Sequence, residues 1–527
     1  MSELPKSWVN CTLFDVGDIV SGGTPSTRKP EFWGDDVPWI SPSDLTGYTS
    51  KFIQQGAKSL TLLGLKKSSA KLIPKGSVHF SSRAPIGYLA ISAQSLCTNQ
   101  GFKSLIPAPG VFNEYVYFYL KSIRGLANSV ATGTTFKELS GKAFAKLPFS
   151  LPPLAEQKRI VLKIEELFSE LDAGEESLRR ARRQLGVYRQ SLLKQAFEGK
   201  LTAPWRAQHP DLLESPDQLL ARIQAKREAR HHQQLTDWQQ AVELWEQNGN
   251  VGKKTAKPKP PRSAITVVEE ASANVKTPEQ WIFLKVEDLF HKGLSNGRSV
   301  KDREGGYKVL RLTALRDGRI DLREYKEGDW SDEEGARHRI HQGDFLISRG
   351  NGSIRLVGRG GVVPKDVEIA FPDTMIRLPL EIGVVDPDWF SSLWNSENFR
   401  QQIEKSAKTT AGIYKINQAS VCDFVAPLCS LTEQQEIVRL LDEQFEVIEQ
   451  NEREIDAALK RSEALRQSIL KKAFTGHLVP QDPTDEPASE LLARIQQERS
   501  ERESAAKAAK LKKKAAKKVT RKRAKKL

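Results

Sequence analysis

The chain has 527 residues, too many for one ordinary domain and enough for several buried cores. No stretch reaches the roughly 18 uninterrupted apolar residues of a membrane span, and the opening Met1–Lys6 segment lacks the apolar core of a signal peptide. The formal charge of +15 is local: residues 507–527 hold 12 Lys or Arg and no acid, so everything before them carries only +3. Cys11, Cys97, Cys422 and Cys429 form no CxxC pair, so neither a disulfide framework nor a zinc knuckle is indicated. A cytoplasmic protein without membrane contact is expected.

Residues 1–150 predict a first globular segment of short strands and turns. Ile19-Val20, Val37–Ile40, Ser77–Phe80 and Gly101–Ile106 read as strands, and an aromatic-rich helix runs from about Glu114 to Ser122. Trp39 and Tyr115 are assigned to the core. Two loops carry groups that suit nucleic acid. The first, Ser21–Lys29, offers backbone amides, the hydroxyls of Thr24, Ser26 and Thr27, and the cations Arg28 and Lys29. The second follows a strand and holds Ser81, Ser82 and Arg83. Arginine reads guanine bidentately, while Ser, Thr and Lys mostly hold phosphates. Taken singly, each of these residues is also what an ordinary polar turn contains.

A central helical region follows over 151–247. Pro152-Pro153 precedes Leu154-Ala155-Glu156-Gln157, where proline suits an opening helical turn. Ile160, Ile164, Leu167, Leu171, Gly174, Leu178, Ala181, Leu185, Tyr188 and Leu192 then keep an alternating 4,3 spacing, the seam of helices packed side by side. The 33 residues from Ile160 to Leu192 would span roughly 50 Å. Gly199 supplies the left-handed residue that ends such a helix, and a shorter polar helix includes Leu219–Ile223. Glycine, proline and lysine make 248–264 a flexible, basic, solvated linker.

Residues 265–426 predict a second globular segment. Tyr307–Leu312, Gly343–Ser348 and Met375–Leu378 read as strands, with a helix near Trp389–Asn395 and Trp389 in its core. Its loops match the first segment's in position: Arg298 and Lys301 in one, and Arg349, Asn351, Ser353 and Arg355 in the turn after a strand. Asparagine can read adenine bidentately. The C-terminal helical region, 427–503, opens with Thr432 as a cap and Gln435 completing a capping box. Its seam is Ile437, Leu441, Gln444, Ile448, Asn451, Ile455, Ala458, Ser462, Leu465 and Ile469, and Gly476 ends it. A basic, disordered tail is expected over 504–527.

These regions are two copies of one plan. Leu154-Ala155-Glu156-Gln157 recurs as Leu431-Thr432-Glu433-Gln434, and the match runs without a gap, at an offset of 277, to Arg189–Leu201 against Arg466–Leu478. Pro5–Trp8 matches Pro278–Trp281 at an offset of 273, and Leu219–Ile223 matches Leu491–Ile495 at 272. The period is far beyond the roughly 20–50 residues of a solenoid unit. It marks a duplicated half-protein, with helices kept similar and globular segments diverged. Equal seams in one chain favour antiparallel pairing in cis, a built-in ruler, over an intermolecular coiled-coil dimer. Gly174, Gln444, Asn451 and Ser462 weaken the seam and would fix its register. The expected fold class is α+β: two α/β segments, with mostly antiparallel or mixed sheets, joined by two long antiparallel helices in a pseudo-two-fold repeat.

No catalytic constellation stands out. The chain has no GxxxxGK[ST] phosphate loop, no glycine-rich strand-turn-helix for S-adenosylmethionine and no Asn-Pro-Pro-aromatic run. Asp321–Lys326 is the nearest approach to a nuclease motif but lacks its second element, so an exposed charged strand is the simpler account. His338 and His341 have no third ligand in view, and His231-His232 lie in a polar helix. No catalytic or metal residue is assigned.

Gly22–Ser26, Val37–Ile40, Pro152–Gln157, the two Ala-Phe-x-Gly-x-Leu ends and the repeated Leu-Leu-Ala-Arg-Ile together resemble type I restriction-modification specificity subunits, over nearly the whole chain. The second copy departs from the motif, since Cys429-Ser430 replaces the double proline. The resemblance implies a non-catalytic DNA-binding subunit of a multi-subunit methyltransferase/endodeoxyribonuclease. Each globular segment would be a target-recognition domain for one half of a bipartite, asymmetric double-stranded DNA target. It implies two methyltransferase subunits, which use S-adenosylmethionine to methylate adenine. It also implies two motor-nuclease subunits, which use ATP and Mg2+ to translocate and cut DNA. The alternative is a non-enzymatic coiled-coil scaffold or DNA-binding regulator.

Overall fold

A computed structural model describes residues 4–83, 85–133, 137–261, 264–270, 277–316, 318–410 and 412–523. The described residues fall into two compact units, one reaching Arg179 and resuming at Asp456, the other spanning Arg180–Ile455. The units therefore cut across the linear division: each contains one globular head and one end of both long helices.

In the first unit, Val9–Thr12 pairs antiparallel with Pro148–Leu151, so the head begins and ends on one ribbon. A five-stranded sheet follows the order Gly17–Ser21, Phe102–Pro107, Val78–Ser82, Ile86–Ser92, Phe52-Ile53. All its pairs are antiparallel except the last. Trp33–Ile40 lies between Lys58–Leu60 and Cys97-Thr98 in a smaller sheet. The expected aromatic helix is Asn113–Ser122, and Tyr115 is wholly buried between sheet and long helices. Its ring meets Phe149 at 5.8 Å and Phe474, on the second long helix, at 5.3 Å. Phe80, Leu105, Phe144, Ile160, Ile164, Leu470, Leu491 and Ile495 share that core.

The second unit repeats the plan. Ile282–Lys285 pairs antiparallel with Val425–Leu428, and a six-stranded mixed sheet runs Ser295-Asn296, Met375–Leu378, Phe345–Ser348, Gly360–Val362, Gly318–Ile320, Leu315-Arg316. Helix Pro387–Trp394 is capped by Asp386, whose carboxylate accepts from the Asp388 and Trp389 amides. Trp389 and Trp394 are fully buried, in a core shared with Leu192, Phe197, Leu219, Ile223, Ile437 and Leu441.

The long helices are Leu154–Phe197 and Leu431–Phe474, each 44 residues. They pack antiparallel within each unit. In the first, Asp172 and Glu175 meet Arg466, while Arg159 meets Asp485. In the second, the Tyr188 hydroxyl donates to Gln444 and Arg206 meets Glu433. Ile160, Ile164, Leu192, Ile437, Leu441, Ile448 and Ile455 are buried on the seam, with Leu167, Leu171, Leu178, Leu185 and Ile469 half-buried.

Four seam assignments fail. Asn451 is exposed, and Leu465 is 51% exposed; Glu452 and Arg466 take the inward places. Gly174 and Tyr188 drift out in the same way, beside half-buried Glu175 and Arg189. A strict 4,3 alternation has a period of 3.5, whereas a helix turns every 3.6 residues, so a fixed heptad slips off the contact line. Asn451 therefore does not set the register. Ser462, 7% exposed, does face inward and donates to Glu175 at 2.7 Å.

The second helix is capped by Ser430 rather than Thr432: the Ser430 hydroxyl accepts from the Glu433 amide, while Thr432 donates to the Leu212 carbonyl. Gly199 and Gly476 end the helices at φ 71° and 77°, and the amides after them return to Gln195 and Lys472, the closing pattern that a left-handed glycine permits. The linker is less free than its composition suggests. Trp238 and Trp245, on helix Pro216–Gln247, donate to the Thr255 and Gly252 carbonyls, and Lys257 and Lys254 lie over their rings. Helix Ala488–Arg523 runs into the basic tail, whose alanine, lysine and arginine are strong helix formers.

Candidate nucleic-acid interface

In the first head the Ser21–Lys29 loop hangs from two tryptophans. Trp39 donates to the Gly23 carbonyl at 3.1 Å and Trp33 to that of Ser26 at 3.3 Å. That grip leaves Ser26, Thr27, Arg28 and Lys29 exposed, with Lys29 over the Phe32 ring at 5.2 Å. Thr24 is half-buried, and its hydroxyl donates to Gln100.

Ser81 and Ser82, expected at the interface, do not reach the surface. Both are fully buried. Ser81 donates to the Pro85 carbonyl and accepts from the Tyr88 amide, and Ser82 donates to the Gly101 carbonyl. A strand whose five residues are all buried uses such hydroxyls to satisfy its turn, and none is left to reach a base edge. Arg83, just beyond them, is half-exposed and lies 3.7 Å from Glu138.

The two loops meet through residues that sequence reading missed. Lys103 donates to the Gln100 carbonyl at 3.3 Å and lies 3.8 Å from Glu138. Burial lowers its pKa, an effect that Glu138 opposes and Arg83 reinforces. Thr24, Gln100, Lys103, Glu138 and Arg83 thus form one connected polar rim.

In the second head Arg298 and Lys301 are exposed. Arg298 sits close enough to His338, which stacks on Trp330 at 5.4 Å, to help burial lower the imidazole's pKa, together with Arg377 and Arg337. Arg349 is exposed, while its backbone is pinned on both sides: its amide donates to Thr374 and its carbonyl accepts from Ile416. Asn351 is half-buried and accepts from the Ser353 amide at 3.1 Å. Ser353 is half-buried, and its carbonyl receives the Leu356 amide. Arg355 is exposed above a loop clamped by Arg400, whose guanidinium donates to the Ile354, Arg355 and Val357 carbonyls.

Asn351 also lines an open cleft of about 420 Å³ with Thr313, Arg316, Ser348 and Arg359. The hairpin Lys408–Thr410/Ile413–Lys415 joins this edge, because Gly350-Asn351 pairs with Lys415-Tyr414.

The acidic stretch considered for a nuclease is occupied by surface ion pairs: Asp321 holds Arg323, and Glu324 holds Arg316. Among the described residues no helix is long and apolar enough to cross a membrane.

Residues 5–178 match the family described as type I restriction modification DNA specificity domain. The chain is 39% identical over 162 residues to the type I restriction enzyme MjaIX specificity subunit of Methanocaldococcus jannaschii, a match covering 30% of this chain and 38% of that one. It is 26% identical over 522 residues to the type I restriction enzyme EcoKI specificity subunit of Escherichia coli (strain K12), covering 94% and 97% of the two chains. A solved chain from work on complex assembly and conformational transition of the type I R-M system shares the fold, with a TM-score of 0.61 at 16% identity over 91% of this chain and all of that one. The chain is thus similar over nearly its whole length to specificity subunits of type I restriction-modification systems, and residues 5–178 match their DNA specificity domain.

Proposed function

We propose that each head reads one half of a bipartite, asymmetric double-stranded DNA target, and that the paired long helices set the unread spacer. The observation that carries this reading is the contrast within each unit. The roots are equivalent: a ribbon closing the head, a buried Glu-Gln pair opening a long helix, and an apolar Leu-Leu-Ala-Arg-Ile helix. The exposed loops differ, with Ser26–Lys29 in one head and Arg298, Lys301, Arg349 and Arg355 in the other. Two unlike readers on like mounts suit half-sites separated by about one turn of B-DNA, roughly 34 Å.

The chain itself contributes recognition and no catalytic group. Two methyltransferase subunits, bringing S-adenosylmethionine, would methylate adenine in the target, and two motor-nuclease subunits would bring ATP and Mg2+ for translocation and cleavage, all in the cytoplasm. Support for protein partners comes from the long helices, which expose Leu162 and Leu465 in the first unit and Val187 and Val447 in the second, at 67, 51, 72 and 57%. A protein partner seated on the helices would take these side chains out of water.

Expressed with its methyltransferase partner, the chain should direct adenine methylation to one gapped sequence in the host genome. A continuous palindrome, or no modified motif, overturns the reading. Replacing residues 1–150 by those of another specificity subunit should change one half of the motif and leave the other.

A further inference from the structure

The helices that follow the two long helices begin alike and end differently. Leu219 and Ile223 root Pro216–Gln247 in the second unit's core, and Leu491 and Ile495 root Ala488–Arg523 in the first unit's. Beyond the roots, residues 231–247 contain Asp237, Glu243 and Glu246 and no Lys or Arg. Residues 507–523 contain ten Lys or Arg and no acid. The duplication kept the root and replaced the extension.

The basic extension has a fixed mount. Arg499 donates to the Gly17 carbonyl at 2.9 Å and lies over the Phe14 ring at 4.3 Å, and Arg502 pairs with Asp18 at 2.7 Å. Gly17 and Asp18 open the strand Gly17–Ser21, whose far end delivers the Ser21–Lys29 loop. The run of cations starts five residues past Arg502, on the head that carries that loop.

The charges lie past the part of the helix that packs on the core. Ile495 is the last residue of the helix in the first unit's buried core, among the described residues. Like charges four apart, as at Lys510 and Lys514, Lys513 and Lys517, Lys514 and Lys518, or Lys517 and Arg521, destabilise a helix. A polyanion removes that penalty and releases its own counterions on binding. Duplex DNA, with one phosphate per about 1.7 Å of axis, is such a polyanion, and it is the one the adjoining head is proposed to read.

We infer that residues 507–523 are a sequence-independent phosphate-binding arm for duplex DNA, mounted on the first head. The arm's purpose rests on the DNA-reading function proposed above; its chemistry does not.

Three proteins test it: the full chain, a chain ending at Ala506, and a full-length variant with Lys510, Lys512, Lys513, Lys514, Lys517 and Lys518 replaced by Gln, which preserves helix propensity. Each is titrated against a labelled duplex of random sequence and one carrying the methylated target, over a range of salt concentrations. Both altered proteins should bind both duplexes more weakly by the same factor, about tenfold or more near physiological salt. The slope of log affinity against log salt should become shallower by about 0.9 for each phosphate that the arm no longer neutralises. Footprinting should lose protection on the first head's side of the target only. An unchanged slope overturns the arm, as does a weakening confined to the target duplex. Intact DNA binding with loss of a co-purifying subunit also overturns it, because the tail then docks protein. If no gapped motif is methylated yet binding to the random duplex still depends on the tail, the arm stands and the half-site reading falls.

Discussion

The Trp281 indole donates to the Glu433 carboxylate at 2.9 Å, across 152 residues of sequence. Glu433 also receives the Thr202 hydroxyl at 2.7 Å and Arg206 at 2.5 Å, and it is 1% exposed. One side chain therefore ties the head's first strand, the end of one long helix and the start of the other. Removing it strands Arg206, itself mostly buried, and breaking a buried ion pair costs about 3–5 kcal/mol. Glu433→Ala should lower the urea midpoint of the second unit accordingly. Glu156, its counterpart, is equally buried but is hydrogen-bonded by neutral Gln481, with Arg159 acting on it only through space. Glu156→Ala should cost only about 1–2 kcal/mol. Equal losses would contradict the assignment of the guanidinium as the difference.

The neighbouring glutamines give a matched pair. Gln157 accepts from the Phe112 amide at 2.7 Å and donates to the Pro152 carbonyl at 2.9 Å. Gln434 accepts from the Asp386 amide at 2.8 Å and donates to the Val384 and Cys429 carbonyls at 3.0 Å. Both are wholly buried, so each substitution leaves backbone groups orphaned at about 1–3 kcal/mol apiece. Gln157→Leu and Gln434→Leu should destabilise their own units by similar amounts, read by hydrogen exchange at the amides of Phe112 and Asp386.

This pair shows where the sequence was legible. Helices and repeat came from periodicity, and the Glu-Gln motif was visible as a signature. That it stitches helix to head was not, because its partners lie 45 and 48 residues away at loop amides. The seam was read with a fixed heptad, which fails where a straight helix rotates past it, at Asn451 and Leu465. In the heads, Ser81 and Ser82 looked like contact residues because a polar post-strand turn has the same composition whether its hydroxyls face solvent or backbone. Lys103 was hidden by sitting within a strand, 35 residues away in sequence from Glu138.

Glu175 gives the helix pair of the first unit a pH limit. Hydrogen bonds from Ser462 and Arg466 hold its pKa below the ordinary glutamate value of 4.5. A depressed folded pKa contributes stability that is fully present above the unfolded value and is lost as pH falls through the folded one. The stability difference between the native chain and Glu175→Gln should be constant near neutrality and shrink at pH below about 4.3. The urea midpoint of the first unit followed across that window measures it, and a difference that grows on acidification would refute the pairing.

Arg349 and Ser82 separate reading from support. Arg349 has an exposed guanidinium on a backbone fixed by Thr374 and Ile416, so alanine there removes the side chain's reach without loosening the turn. If the guanidinium grips a base, its removal costs about 1–3 kcal/mol of discrimination, and the methylated motif should relax at one position of the second half-site only. If it holds a phosphate, affinity should fall uniformly and the salt slope should become shallower by about one. Ser82→Ala removes a buried hydroxyl from the Gly101 carbonyl. It should lower the first unit's stability by about 1–2 kcal/mol and leave the motif unchanged. Sequencing the methylated sites of both variants, alongside their urea midpoints, decides the matter. A relaxed first half-site in Ser82→Ala at full stability would return that hydroxyl to the interface.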